Sequence, residues 1–222
     1  MTSFQVAIDG PAGSGKSSIS KILSKKLNFN HVDTGAMYRA VTYEALNRGI
    51  DLNDNESYQF LNEIDIEYKD NSIYLNGLNI NDEIRSHIVA QNVSVVAKQK
   101  LVRDKMVEIQ RNVANKGNVI MDGRDIGYIV LPNANLKIFL NADVTERAKR
   151  RHKENLTNGI NIEISKLIEE IKERDRLDST RKLNPLRKAK DAIEIDTTSL
   201  TMEEVIDEII GLIKERGVTN GI

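Results

Sequence analysis

The chain has 222 residues, of which 40% are hydrophobic, enough to bury one substantial α/β core with small inserted lobes. It contains no cysteine, which excludes disulfides and cysteine-ligated metal sites, and its formal net charge of -1 argues against a globally basic nucleic-acid binder. No N-terminal basic stretch precedes an apolar segment, and no apolar run approaches the roughly 20 residues that span a bilayer. We therefore expect a cytoplasmic protein without membrane contact.

Short apolar runs alternate with helical patterns along the chain. The runs that we predict as buried strands are residues 4–9, 30–33, 119–122, 136–140 and 192–195. This alternation predicts an α/β fold in which a five-stranded parallel sheet is flanked by helices. In such a fold ligands bind beyond the carboxyl ends of the strands, so the polar residues that follow each run are the candidate site.

The first strand is followed by a complete G-x-x-x-x-G-K-[ST] pattern, and a helical pattern at residues 16–27 leaves it. Glycines in such a loop let backbone N–H groups turn around a phosphate, and the helix N-terminus favours negative charge. We expect Lys16 to contact the phosphates and Ser17 to bind Mg²⁺. The predicted ATP-binding residues are Gly10, Pro11, Ala12, Gly13, Ser14, Gly15, Lys16, Ser17 and Ser18. The alternative interpretation is a glycine-rich turn without a ligand.

Charged residues follow the second and third strands. Thr34 is positioned to cap the next helix, with Arg39 one turn into it, and Asp122 follows the third strand with Arg124 two residues later. An acid in that place can hold the water shell of Mg²⁺. Two arginines can clamp a phosphate dianion with parallel hydrogen bonds. Alternatively, Arg39 is a solvated helix residue and Arg124 is the partner in a loop salt bridge.

The sequence lacks the N-K-x-D and D-x-x-G patterns of a GTPase, and it is too short for a helicase-like motor with a second domain. A kinase of a small molecule therefore remains. Two alternatives stay open: a kinase of another acceptor, such as shikimate or a different nucleotide, or a non-catalytic P-loop binding module.

Four segments carry a resemblance to a known family: GPAGSGKSS at 10–18, DTGAMYR at 33–39, DGRDIG at 122–127 and KERDRLDSTR at 172–181. In these segments the chain resembles the bacterial cytidylate kinases, which phosphorylate CMP and dCMP with ATP. The resemblance implies a P-loop NTPase fold with an ATP-binding core, a monophosphate-binding lobe and a lid. The implied core comprises residues 1–34, 116–146 and 183–222, the lobe residues 35–115 and the lid residues 147–182.

The resemblance also implies roles for individual residues. The positions that match its CMP-binding residues are Thr34, Tyr38, Arg39, Ser94, Arg103, Arg124, Asp125, Arg174, Asp178 and Arg181. Among them, Thr34, Arg39 and Arg124 match positions at the CMP phosphate. Ser94, Arg103 and Asp125 match positions that recognise cytosine. The implied catalytic residues are Lys16, Arg39, Arg124 and Arg181.

The chemistry of cytosine agrees with this set, because its amino group needs an acceptor and its N3 and O2 need a donor. Asp125, Ser94 and Arg103 supply both. Ser94 and Arg103, however, are nine residues apart and would point to opposite sides of one unbroken helix. The helix must break between them, although residues 97–100 contain neither Gly nor Pro.

Between the predicted acceptor residues, segments 64–68 and 72–75 alternate like strands, with turns at 69–71 and 76–77. They predict a small antiparallel β insertion in the lobe, and the resemblance implies such an insertion too. Basic residues at 147–153 and 172–190 favour a lid over phosphates rather than an RNA surface, since no aromatic residues accompany them. We expect small-molecule substrates, no nucleic acid and a monomer.

Overall fold

The computed structural model describes residues 3–69, 71–157 and 159–217 as a mixed α/β protein. The strands are β1 (Gln5–Asp9), β2 (Asn30–Asp33), β3 (Ile66–Lys69), β4 (Ser72–Leu75), β5 (Leu78–Asn79), β6 (Val119–Gly123), β7 (Leu136–Asn141) and β8 (Ile193–Asp196). The α-helices are α1 (Lys16–Leu27), α2 (Thr34–Asn47), α3 (His87–Val96), α4 (Lys100–Ala114), α5 (Val144–Thr157), α6 (Ile164–Thr180) and α7 (Met202–Glu215). None of the described helices is long and apolar enough to cross a membrane.

The main sheet has five parallel strands in the order β2-β6-β1-β7-β8. The predicted five-stranded parallel sheet is therefore confirmed. In the register, Asp9 lies opposite Gly123, and Asp33 lies opposite Asp122. The carboxyl ends of β1, β2 and β6 thus meet at one edge, which brings three segments distant in sequence together.

The sheet is buried on both faces by helices. Val6 and Ile8 of β1 pack in the core cluster that includes α1 and α7, whereas Ala7 packs in the cluster that includes α2 and α4. Alternate residues of one strand therefore serve opposite faces, and both faces need apolar side chains. This is why the strands read in the sequence as continuous apolar runs.

The start of α2 corrects one prediction. The N-cap is Asp33, whose Oδ1 accepts a hydrogen bond from the backbone N–H of Ala36 at 3.0 Å. Thr34, predicted as the cap, is already the first helical residue. Its hydroxyl donates to the backbone oxygen of Asp122 instead. Aspartate is as good a cap as threonine, and the parallel pairing of β2 with β6 leaves the Thr34 hydroxyl beside the neighbouring strand.

The helix does break between Ser94 and Arg103. α3 ends at Val96 and α4 begins at Lys100, with Gln99 in an extended conformation at its N-cap. The side chain of Gln99 is buried and donates to the backbone oxygen of Leu52 at 2.9 Å. A tertiary hydrogen bond therefore accompanies a break that neither Gly nor Pro marks in the sequence.

The predicted β insertion is present as the three-stranded antiparallel sheet β3-β4-β5. We call it the meander. β4 has the predicted bounds, β3 begins at Ile66 rather than at residue 64, and the short β5 was not predicted. Of the predicted turn residues at 69–71, Asp70 lies outside the described residues.

The segment predicted as the lid contains α5 and α6, which pack against each other. α6 continues past Ile171 as far as Thr180, and Arg181 follows in an extended conformation. Arg174 and Asp178 are one turn apart on this helix, and Arg181 follows just beyond its end.

Gly10 offers a test of how tightly the end of β1 is packed. A Cβ at this position would lie 2.1 Å from the backbone oxygen of Leu140, so Gly10→Ala is expected to lower the free energy of unfolding by about 1–3 kcal/mol. Chemical denaturation measures the change. Gly211→Ala is the matched control, since this glycine lies inside α7 with nothing within 4 Å of its added Cβ. It is expected to stabilise the protein by about 0.5–1 kcal/mol, and equal effects of the two would contradict the packing.

Candidate active site

The loop between β1 and α1 has the backbone of a phosphate-binding turn. Gly13 and Gly15 have φ angles of 78° and 89°, values that favour glycine, and Gly15 is the N-cap of α1. The Nζ of Lys16 donates to the backbone oxygen of Pro11 at 2.9 Å across the loop. Burial, and then the nearby charge of Arg124, lower the pKa of Lys16 to about 7. An anionic ligand at this loop would stabilise the charged form of the lysine.

The carboxylate of Asp122 lies at the end of β6 and meets the start of α1. The hydroxyl of Ser17 donates to its Oδ2 at 2.6 Å. Its Oδ1 lies 2.8 Å from the Nε2 of His31. A hydroxyl and a carboxylate oxygen in direct contact match the hard oxygen ligands that Mg²⁺ prefers, with phosphate and water oxygens completing its shell. The predicted metal residues Ser17 and Asp122 are thus brought together.

Three arginines lie at the same edge of the sheet, and two of them are held by aspartates. Arg39 donates from Nη2 to Asp33 at 3.0 Å, and Arg124 donates from Nε to Asp178 at 2.9 Å. Arg174 lies close enough to Arg124 and Arg39 for their charges to affect it. Burial, and then Arg124, lower its pKa to about 10. The structure therefore brings Arg174 into one cluster with the two arginines predicted at the phosphate, Arg39 and Arg124.

This cluster has unused donors. Within the described part of the chain, the Nε atoms of Arg39 and Arg174 are buried and have no hydrogen-bond partner. A buried donor without a partner is costly, and a bound anion would relieve the cost. Neither Arg39 nor Arg124 is thus simply a solvated side chain, which was the alternative interpretation for Arg39. The alternative for Arg124, a loop salt bridge, describes one of its contacts correctly.

The residues predicted to recognise cytosine lie beside this cluster. Arg103 is 1% exposed and forms a hydrogen-bonded ion pair with Asp125. Arg181 lies 3.5 Å from the other oxygen of Asp125, and the guanidinium of Arg103 lies 5.3 Å from the ring centre of Tyr38. Arg103 is therefore not a solvated residue of the helix surface.

Ser94, the third residue predicted to recognise cytosine, contacts a different aspartate, Asp178. Its hydroxyl donates to Oδ1 of Asp178 at 3.1 Å, while Oδ2 of the same carboxylate accepts from Arg124. Despite burial, the charges of Arg124 and Arg174 hold the pKa of Asp178 below its usual range. Helix α6 is thus linked both to the arginine cluster and to the residues predicted for the base.

Three residues of this site were missed by sequence analysis: Asp9, His31 and the capping Asp33. Asp9 and Asp33 are the last residues of predicted strands, and His31 is the second residue of the four-residue strand 30–33, so a polar residue within a predicted strand was the available signal. Asp9 is 3% exposed, and its two oxygens accept from the backbone N–H groups of Ile126 and Gly127, both at 2.8 Å. It therefore links the residue before the phosphate loop to the segment that carries Arg124 and Asp125.

Asp9 should make stability depend on pH in a defined direction. Burial raises its pKa from 3.8 to about 7, so across that interval the native state keeps a proton that the unfolded chain has lost. The free energy of unfolding should therefore fall as pH rises across it, by up to about 1.4 kcal/mol per pH unit, and this contribution should be constant above it. Asp9→Asn should remove this slope relative to the wild type. Parallel curves of unfolding free energy against pH for the two proteins would contradict the assignment.

Comparisons with known proteins agree with the geometry. The family described as cytidylate kinase matches residues 6–215. The chain is 53% identical to the cytidylate kinase of Acholeplasma laidlawii over 99% of this chain and 100% of that protein, and 49% identical to the cytidylate kinase of Bacillus subtilis over 96% and 97%. A solved structure of an uncharacterized protein from Eubacterium ventriosum aligns with a TM-score of 0.54 at 15% identity over 96% of this chain and 99% of that one, a similarity of fold alone. The predicted resemblance is confirmed, and the chain belongs to the cytidylate kinase family.

Proposed function

We propose that this protein transfers the γ-phosphate of ATP to CMP or dCMP and releases ADP with CDP or dCDP. Membership of the family supports the reaction. The single observation of the structure that carries the choice of acceptor is the buried pair of Arg103 and Asp125, which lies next to the arginine cluster. A base and its phosphate can then be bound side by side.

On the donor side, the loop of residues 10–18 holds the phosphates of ATP through backbone N–H groups and Lys16. Ser17 and Asp122 are the residues that would hold Mg²⁺, and their contact at 2.6 Å supports this role. Bound there, the ion would neutralise charge on the phosphate oxygens of ATP. Lys16 supplies a second positive charge beside the same oxygens.

On the acceptor side, Arg39, Arg124 and Arg174 bind the phosphate of CMP. Thr34 lies at the same edge of the sheet, at the start of α2. Asp33 and Asp178 orient two of these arginines, so their guanidinium groups are positioned before the substrate arrives. Phosphoryl transfer depends mainly on alignment and on neutralisation of charge. No covalent intermediate with the protein is needed.

Recognition of cytosine rests on Asp125, Arg103 and Ser94, with Tyr38 packed beside Arg103. The carboxylate accepts from the amino group of the base, and the guanidinium donates to its acceptors. Uracil presents an oxygen in place of that amino group, so a carboxylate would face an acceptor. A buried polar group left unsatisfied in this way costs about 1–3 kcal/mol.

The division into working parts follows from these roles. We assign residues 1–34, 116–146 and 183–222 to the core, residues 35–115 to the monophosphate-binding lobe and residues 147–182 to the lid. Arg174, Asp178 and Arg181 of this lid already lie beside the arginine cluster and Asp125. A lid closed over the substrates would exclude water, which would otherwise accept the phosphate. The proposal includes a monomer that acts in the cytoplasm on small molecules, without nucleic acid.

The decisive experiment is an ADP-release assay with ATP and Mg²⁺ and a panel of acceptors: CMP, dCMP, UMP, AMP, GMP and shikimate. Turnover mainly with CMP and dCMP is the expected outcome. Faster turnover with another acceptor would favour the alternative of a different P-loop kinase. If the protein binds ATP but phosphorylates none of these acceptors, the alternative of a binding module would be favoured.

Replacing the loop lysine tests the donor site. Lys16→Met removes the charge while keeping a similar shape, and kcat is expected to fall by at least about 100-fold, as for removal of one charge-stabilising group. Lys21→Met is the matched control, because Lys21 is an exposed lysine of the same helix α1. Steady-state rates should be unchanged in the control. A Lys16→Met protein with wild-type kcat would refute this role for the lysine.

Replacing Asp125 tests the base site. The amide of Asp125→Asn can turn either its oxygen or its amino group toward the base, so discrimination between CMP and UMP should weaken. The ratio of kcat/KM for CMP to that for UMP is expected to fall by about tenfold, which corresponds to 1.4 kcal/mol. Asp104→Asn on the exposed face of α4 is the control and should leave the ratio unchanged. An unchanged ratio in Asp125→Asn would remove Asp125 from base recognition.

A further inference from the structure

Asn71, which lies between β3 and β4, contacts strand β2. Lys69 pairs with Ser72 where the two strands end, and Asn71 has a φ of 57°. We call Lys69, Asn71 and Ser72 the meander tip. The Oδ1 of Asn71 lies 3.2 Å from the Nδ1 of His31 on β2, which precedes it by 40 residues. The tip therefore contacts the main sheet directly, although the meander belongs to a different sheet.

Tyr68, on β3 next to the tip, lies near the carboxyl end of β2. Burial, and then the charge of Asp33, raise the pKa of its hydroxyl. The meander is thus close to two positions of β2, His31 and Asp33.

His31 links Asn71 of the meander tip to Asp122. Its imidazole is 8% exposed, with Nδ1 on Asn71 and Nε2 on the Oδ1 of Asp122 at 2.8 Å. With a partner on each nitrogen, the ring cannot rotate without losing one of them. The other carboxylate oxygen of Asp122 accepts from the hydroxyl of Ser17 at 2.6 Å. One oxygen of the carboxylate is therefore held by the histidine, and the other faces the phosphate loop.

We infer that His31 and Asn71 are positioning residues, through which the meander tip holds the carboxylate of Asp122 in the orientation that faces Ser17. The inference rests on the proposed function for the role of Asp122 at the phosphates of ATP. Groups that orient a ligating carboxylate or histidine commonly affect metal affinity or activity by tenfold or more. The meander, an insertion in the acceptor lobe, thereby acts on the donor side of the site.

The contacts predict which kinetic constants respond. Loss of the Asn71 side chain would free the imidazole ring and, with it, the carboxylate of Asp122. Binding of ATP with Mg²⁺ should weaken, because those ligands meet Ser17 and Asp122. The KM for CMP should not change, because Arg39, Arg124 and Asp125 make no contact with His31 or Asn71 among the hydrogen bonds of the described residues. If the tip had only a structural role, binding of ATP with Mg²⁺ and the KM for CMP would be affected together.

Asn71 permits a well-matched set of variants. Asn71→Gly suits the left-handed backbone and removes only the side chain, whereas Asn71→Asp keeps an acceptor oxygen toward His31. Asn76→Gly is the control. Asn76 is a second asparagine of the meander with a left-handed φ, 50°, and its side chain accepts from the backbone of Asp65 rather than from the active site.

The experiment measures ATP affinity by calorimetry, with Mg²⁺ and with EDTA, together with the KM values for ATP and CMP. For Asn71→Gly we expect affinity for ATP with Mg²⁺ to fall by about tenfold and affinity in EDTA to change by less than about twofold. Asn71→Asp and Asn76→Gly should stay within about twofold of the wild type in both conditions. Thermal unfolding of each variant shows whether folding is retained.

Three outcomes would overturn the inference: an equal loss of ATP affinity in Mg²⁺ and EDTA, an equal effect of Asn71→Gly and Asn76→Gly, or a rise in the KM for CMP as large as that for ATP. Failure of the proposed function is separately visible. If the wild type forms no CDP, the calorimetric comparison still tests whether the tip acts on ATP binding. Different measurements therefore test the proposed function and the role of the meander tip.

Discussion

The candidate active site depends on the position of one carboxylate. Asp122 is the penultimate residue of β6, which lies between β1 and β2 in the sheet, and its side chain contacts Ser17 of the phosphate loop and His31 of β2. Its backbone oxygen accepts from Thr34 at the start of α2. Three segments are thus fixed to one residue, and each of them carries a further functional group. Parallel pairing of β6 with both β1 and β2 makes this possible, because it places all their carboxyl ends at one edge.

The second constraint is balance of charge. The proposed function needs several arginines close together to bind phosphates, and without anions these arginines would repel one another. The protein pairs them with aspartates: Asp33 with Arg39, Asp178 with Arg124, and Asp125 with Arg103 and Arg181. Among the described residues Arg174 forms no such ion pair, and burial and the charge of Arg124 lower its pKa to about 10. The aspartates thus both orient the guanidinium groups and make the ligand-free site tolerable.

Much of the fold could be predicted from the sequence because its signals are local. Strands buried on both faces appear as short apolar runs, and the glycine pattern marks the phosphate loop, so each predicted strand of the main sheet agrees with the structure to within a residue at either end. The sequence signals failed where a contact with a residue distant in the sequence determined the local structure. Asp33 rather than Thr34 caps α2, and the break before α4 coincides with the hydrogen bond of Gln99 to Leu52. His31 was missed because its partners, Asn71 and Asp122, lie 40 and 91 residues away.

The sequence by itself determined the class of fold, the phosphate loop and the identity of the charged residues that form the site. These follow from periodicity, from a motif whose residues are contiguous and from the resemblance that the motifs carry. Only the tertiary structure decided which aspartate holds which arginine, that Arg103 is buried, and that the meander is linked to Asp122 through His31. The physical reason is that a hydrogen bond between distant residues depends on the packing of whole elements, whereas helix, strand and loop signals are contained in a few neighbouring residues.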